Sequence, residues 1–173
     1  MSTADRRRDA LVEQLADHVL VTGLAGASLR LLARAVGTSD RMLLYYFADK
    51  DALMAAVLER LAGRLTVLLD AHRADTPLRR ADLERRLADV LLTDALWPYM
   101  CLWLELAASA ARAEGFARET GSAIGRAFLE WGRGQLAGGN MTDAARVLVT
   151  IEGLALLKAV GLEAVGAVAL TDR

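Results

Sequence analysis

The chain is poor in the residues that build covalent or metal-bound frameworks. Its 173 residues include one cysteine, two prolines and two histidines. A lone Cys101 excludes an internal disulfide and a cysteine-based zinc cluster. His18 and His72, isolated from each other, are too few for most metal sites. No metal or cofactor is therefore expected. Aromatic residues are only 5% and β-branched residues are few, while Ala and Leu abound, which disfavours sheets and points to an all-α protein. Charge of one sign is also missing: 21 Lys+Arg balance 22 Asp+Glu, for a formal net charge of -1. The start, MSTADRRRDA, leads into no secretory h-region. The most apolar stretch, 95–111, contains Pro98 and Glu105 and falls short of the ~18 uncharged residues of a membrane span. A cytoplasmic protein without a membrane partner is the expectation. No nucleophile–base–acid set, metal-ligand spacing or glycine-rich phosphate loop is visible, so an enzyme is not expected.

What is present is a globular composition, 54% hydrophobic and 25% charged. The length suits one compact domain or a small module joined to a larger one. Leu11, Leu15 and Val19 recur at helical spacing and predict a first helix over 5–22, ended by Gly23. Ser28 is a good N-cap for a short helix carrying Leu29, Leu32, Ala33 and Val36. Gly37 breaks it, and a third short helix runs from Thr38 or Ser39 to Tyr45. Asp49 caps a long helix through Leu53, Val57, Leu61 and Leu65. Thr76-Pro77 reads as the start of the next helix, with Thr76 its cap. Trp97-Pro98 begins an apolar helix to about Arg112, and a break at Glu114-Gly115 precedes another over 116–136. Gly138-Gly139-Asn140 is a turn, after which Thr142 or Asp143 caps a helix through Val147, Ile151, Leu154 and Lys158. Helices apolar on more than one face exceed what so small a chain can bury, which suggests an oligomer.

The informative stretch is SLRLLARAVGTSDRMLLYYF, residues 28–47. Ala33 is small where two helices would approach, and Gly37 can take positive φ at no steric cost to start a turn. Leu29, Leu32, Val36 and Leu43 can fill a small core. Thr38 and Ser39 open the following helix, whose N-terminus attracts phosphate oxygens. With a lead helix before it, Gly37-Thr38-Ser39, Leu43, Tyr45-Tyr46-Phe47, then Asp49-Lys50 and Leu53, residues 5–60 resemble the N-terminal domain of TetR-type transcriptional regulators. The remainder resembles that family in layout only.

The resemblance implies an N-terminal three-helix helix-turn-helix DNA-binding domain over 1–48. A helical-bundle ligand-binding and dimerisation domain would follow over 49–173. Its partners would be a double-stranded DNA operator, a second copy of the chain and an unidentified small-molecule effector. Arg41 and Met42 fall at base-reading positions: Arg pairs bidentately with guanine and Met presses on a thymine methyl. Asp40 departs from the Lys or Arg often found nearby; it can accept from cytosine, orient Arg41 or, unpaired, weaken binding. Ser28, Thr38, Ser39, Tyr45 and Lys50 match phosphate-holding positions, foremost Tyr45 and Lys50, with caps and solvated surface as the other reading and capping the first role of Ser28. The Arg6-Arg7-Arg8 run reads as a minor-groove arm or as the solvated start of a helix. Residues 1–50 hold seven basic and six acidic groups, so the motif and not the charge carries the nucleic-acid reading.

In the second half, Trp97, Tyr99, Met100, Trp103 and Glu105 cluster on one helix and can line an apolar ligand cavity, or form ordinary core. Glu105, among apolar neighbours, needs a partner if buried. Gly121, Gly125, Phe128, Val147, Ile151 and Leu154 suit a four-helix bundle between two subunits, or packing within one. The Glu152-Gly153-Leu154 run resembles an acidic-Gly-Leu run often seen in the late helices of the family. The alternative from a different class is a helical small-molecule-binding or adaptor protein without specific DNA binding.

Overall fold

The structure is a computed structural model and describes residues 3–112 and 115–171. Among these residues the chain forms nine helices and no strand. They are α1 (Thr3–Thr22), α2 (Leu29–Ala35), α3 (Asp40–Tyr46), α4 (Lys50–Asp70) and α5 (Arg80–Leu91). After them come α6 (Trp97–Ala110), α7 (Phe116–Gln135), α8 (Met141–Ala159) and α9 (Glu163–Thr171).

Local chemistry sets most of the boundaries. Ser28, Ser39 and Asp49 hold extended backbone and cap α2, α3 and α4, accepting from the amides of Leu31, Met42 and Ala52. Gly37, at φ +65°, turns the chain between α2 and α3. Two expected caps are displaced. Thr76-Pro77 does not open α5, which starts at Arg80 after an uncapped Arg79. The chain bends at Thr76 and is then pinned beyond Pro77, where the Leu78 amide donates to the Gln135 carbonyl and the Leu78 carbonyl accepts from Ala137, both at 2.8 Å. Asn140, rather than Thr142 or Asp143, caps α8 by accepting from the Asp143 amide at 2.7 Å. Glu114, placed at the expected sixth break, lies outside the described residues.

Two apolar cores share α4 and α6. Leu11, Leu15 and Val19 of α1, Leu32 and Ala33 of α2 and Leu43 of α3 pack against Leu53, Val57 and Leu61 of α4. Leu102 and Leu106 of α6 and Ile124 of α7 close this core from the far side. Leu65 and Leu69, further along α4, enter the second core with Leu83 and Leu87 of α5, Met100 of α6 and Val147, Ile151 and Leu154 of α8. Residues at 53, 57, 61, 65 and 69 form a single stripe at four-residue spacing, so one rigid helix passes from core to core.

Charge fixes α1 on the same helix. Glu13 accepts from both Arg60 and Arg64 of α4, Asp17 accepts from Arg64 at 2.7 Å, and Asp9 lies 3.9 Å from Arg60. The Arg64 hydrogen bond, assisted by Arg60, holds the Glu13 carboxyl below its ordinary 4.5 despite some desolvation. This stabilisation is present above pH 4.5 and disappears as pH falls through the lowered value. Arg64→Ala is expected to cost on the order of 1 kcal/mol at neutral pH, since a partly exposed network is screened by solvent. Denaturant titration of both proteins should find the difference shrinking at high salt and as pH falls through the lowered Glu13 value. A cost independent of pH would assign the role of Arg64 to packing of its aliphatic stem.

Candidate nucleic-acid interface and apolar cavity

The helix-turn-helix places its candidate residues on one side. In α3, Leu43 is fully buried and Phe47 just beyond it nearly so, while Asp40, Arg41, Leu44 and Tyr45 are exposed. Positions 40, 41, 44 and 45 share a helix face, so the outward surface carries an acid, a guanidinium, an apolar side chain and a phenol. Tyr45 is 74% exposed with its ring edge-on to Tyr46 at 5.0 Å, which steers the hydroxyl outward without burying it. Met42 flanks this face and is also exposed. Ser39 and Ser28 are exposed with their hydroxyl oxygens at the starts of α3 and α2, Thr38 is half-buried, and Lys50 stands exposed at the start of α4. The exposed Leu31 of α2 and Leu44 of α3 were not singled out from sequence, because their neighbours in the same short helices are core residues.

The small formal excess of positive charge hides a segregation. The acids Asp9, Glu13 and Asp17 of α1 are engaged by Arg60 and Arg64, which lie outside residues 1–50. Asp49 spends a carboxylate oxygen on the Ala52 amide. Among the described residues Arg30, Arg34, Arg41 and Lys50 have no ion-pair partner. The exposed basic groups of α2, α3 and the start of α4 thus stand without an ion pair among the described residues, as do the exposed acids Asp40 and Asp51. Arg6, Arg7 and Arg8 lie in the regular helix α1. Arg8 stacks over the Phe47 ring at 4.8 Å, tying the start of α1 to the end of α3.

A mostly apolar cavity of about 70 Å³ opens between α4, α5, α6, α7 and α8. Met100 and Trp103 of α6 line it. Tyr99 lines an adjoining apolar cleft shared with those two residues. Trp97 lies elsewhere, its ring covered by the Lys158 ammonium at 4.9 Å. Glu105 is also outside the cavity. Its carboxylate accepts from the Leu24 amide at 2.6 Å, in the α1–α2 connection. The neighbouring Gly23 holds φ +72°, and a side chain there would push against the Glu105 carboxylate. The positive φ is what favours glycine at the end of α1.

The acid that does reach the cavity is Glu152 of α8, a half-buried side chain accepting from the Trp103 indole N–H at 2.6 Å. Burial pushes its carboxyl above the ordinary 4.5, and the Trp103 hydrogen bond offsets only part of that. Lys158, six residues away, does not pair with it and instead donates to the Leu92 carbonyl. Trp131, Gly132 and Leu148 complete a wall that sequence reasoning did not assemble. The acid interrupting the apolar run of α8 was the visible signal.

The residues expected between subunits face inward. Val147, Ile151 and Leu154 are 3%, 5% and 6% exposed in the chain's own second core. Gly121 abuts Leu106, Gly125 abuts Trp103, and Phe128 lines the cavity. The opposite stripe of α8, Val149, Leu156 and Val160, is exposed, as are Val165 and Val168 of α9. Among the described residues no helix is long and apolar enough to cross a membrane.

Comparison with known proteins places this geometry. The profile of "Bacterial regulatory proteins, tetR family" matches residues 10–57. The chain is 32% identical over 68 residues to the HTH-type transcriptional regulator BetI of Pseudomonas aeruginosa, covering 39% of this chain and 34% of that protein. It is 32% identical over 107 residues to BetI of Ectopseudomonas mendocina, covering 60% of this chain and 54% of that protein. The chain thus spans about a third to a half of the length of these relatives. A transcriptional regulator from Rhodococcus sp. Rha1, known from its crystal structure, superposes with a TM-score of 0.68 at 25% identity. That match covers 95% of this chain and 87% of the other.

The raised Glu152 carboxyl has a stability consequence. The folded state binds more protons than the unfolded state between pH 4.5 and the raised value, so stability falls as pH rises through that window. Glu152→Gln retains an acceptor for Trp103 and removes the desolvated charge. Thermal melts from pH 4 to 8 should show the variant more stable than the parent at pH 7, with the gap closing toward pH 4. A variant less stable at every pH would contradict this account.

Proposed function

Through residues 10–57 the chain belongs to the tetR family of bacterial regulatory proteins, and from that premise we propose a sequence-specific transcriptional regulator, a ligand-responsive repressor. It acts in the cytoplasm as a homodimer on a pseudo-palindromic operator. The carrying observation is the pair of capped helices α2 and α3, with Arg41, Leu44 and Tyr45 on one exposed face and, among the described residues, no acid partner on Arg41. Arg41 reads a guanine edge, and Met42 with Leu44 presses on thymine methyls. Ser28, Ser39, Thr38, Tyr45 and Lys50 hold phosphates and set register. Asp40 orients Arg41 or accepts from a cytosine amine.

The dimer uses the outer stripe of α8 with α9. Val149, Leu156, Val160, Val165 and Val168 give an apolar face that one chain leaves wet. Two such copies present two α3 helices, whose separation must match successive major grooves, ~34–36 Å apart. Met100, Trp103 and Glu152 belong to the effector site, while Glu105 ties the helix bearing Trp103 to the end of α1. A ligand that favours one position of α6 over another shifts the spacing of the two reading helices. The coupling equals its differential affinity for the two states, typically ~1–3 kcal/mol.

Arg41→Ala should weaken binding to the best duplex site by about 1–3 kcal/mol and relax preference at one base pair, whereas Lys50→Ala should weaken all duplexes alike and lower the salt slope by about 1. Fluorescence-anisotropy titrations at several salt concentrations separate the two. An Arg41→Ala protein with unchanged base preference would remove Arg41 from the reading face. Leu156→Arg should convert the dimer to a folded monomer in sedimentation at micromolar concentration. A dimer unaffected by this change would place the interface elsewhere.

A further inference from the structure

The cavity beside Trp103 holds one ionisable group, and its sign is informative. Among the described residues, Glu152 is the only titratable side chain in its lining. It is half-buried, one oxygen accepts from the Trp103 indole N–H, and among the described residues no cation pairs with it. A carboxylate taken partly out of water and left without a counter-charge is costly, unless a bound group supplies that charge. The nearest lysine in sequence, Lys158, is committed elsewhere, to the Leu92 carbonyl and the Trp97 ring.

The aromatic walls point to the same sign. Trp103, Phe128 and Trp131 line the cavity. Both tryptophans have spent their N–H donors, on Glu152 and on Asp70 at 2.9 Å, so what they offer a ligand is ring surface and not hydrogen bonds. Ring faces attract cations and repel anions. The remaining surface is aliphatic, and Gly132 leaves open space where a side chain would otherwise project. A hydrophilic ion would gain nothing from such walls, and a purely apolar molecule would leave Glu152 uncompensated.

We propose that this cavity binds a small organic cation with an apolar body, its ammonium set against Glu152 and its hydrocarbon against Trp103, Phe128 and Trp131. This deepens the effector-site reading above and rests on it only in taking the cavity as the place where an effector enters. An acid-bearing or neutral effector of the same skeleton is excluded by the proposal. The ammonium supplies the counter-charge, and the hydrocarbon displaces water from apolar walls.

The test uses all 173 residues without DNA, so that its outcome is independent of operator binding. Three probes of matched skeleton are titrated at pH 7.5: 2-phenylethylammonium, 2-phenylethanol and 3-phenylpropionate. Isothermal calorimetry gives affinity, and quenching of tryptophan fluorescence reports occupation next to Trp103 and Trp131. The ammonium should bind at least about tenfold more tightly than the alcohol, and the carboxylate most weakly of the three. Glu152→Gln should erase the preference for the ammonium while leaving alcohol binding within about threefold. Equal binding of ammonium and alcohol, tighter binding of the carboxylate, or no saturable ammonium binding would each overturn the proposal. So would a folded Glu152→Gln protein that keeps the preference. If that variant does not fold, the ranking of the three probes on the parent protein decides alone.

Discussion

Everything in this fold is referred to α4. Its 21 residues rise about 30 Å, long enough to reach from the helix-turn-helix to the cavity. One apolar stripe enters both cores, and two arginines on the flank of that stripe seize three acids of α1. A shift of the cavity wall at Leu65 and Leu69 is therefore a shift of the helix that α1 is clamped to. The second mechanical link is α6, with Trp103 at the cavity and Glu105, two residues later, on the Leu24 amide. These two helices connect the halves through packed side chains and named hydrogen bonds, the kind of contiguous contact by which one site can bias another.

The same clamp decides which charges of the helix-turn-helix half stay paired. Formal charge over residues 1–50 counts Asp9, Glu13 and Asp17 against the arginines of α2 and α3. Their true partners come from α4, so the acids are neutralised from outside and the basic groups of the helix-turn-helix are not. Net charge was a poor guide because pairing, and not counting, decides which charges a polyanion meets.

The helix-turn-helix was legible in the sequence because its determinants are local. Ser28, Ser39 and Asp49 act on amides three residues away, and Gly37 acts on its own φ angle. Determinants that lie across the chain were not legible. Thr76-Pro77 has the chemistry of a helix start, yet a backbone pairing of Leu78 with residues 135–137 pins the chain just beyond it. Glu105 and Glu152 both interrupt apolar helices, and sequence gives no means of telling which faces the cavity. The answer depends on what lies opposite: the Leu24 amide for one, the Trp103 indole for the other. The late helices show the same ambiguity. α8 is apolar on two faces, and the stripe of Val147, Ile151 and Leu154 is taken by the chain's own core. That leaves Val149, Leu156 and Val160 exposed on the chain.

Under the proposed function, two copies of this chain together read a two-fold symmetric DNA sequence. Selection of binding sites from a random duplex library, with purified protein at low and at moderate salt, tests it most directly. The account predicts enrichment of an inverted repeat with half-sites about one helical turn apart, ~34–36 Å between centres. Recovery of no shared sequence at low salt by a folded, helical protein would contradict it.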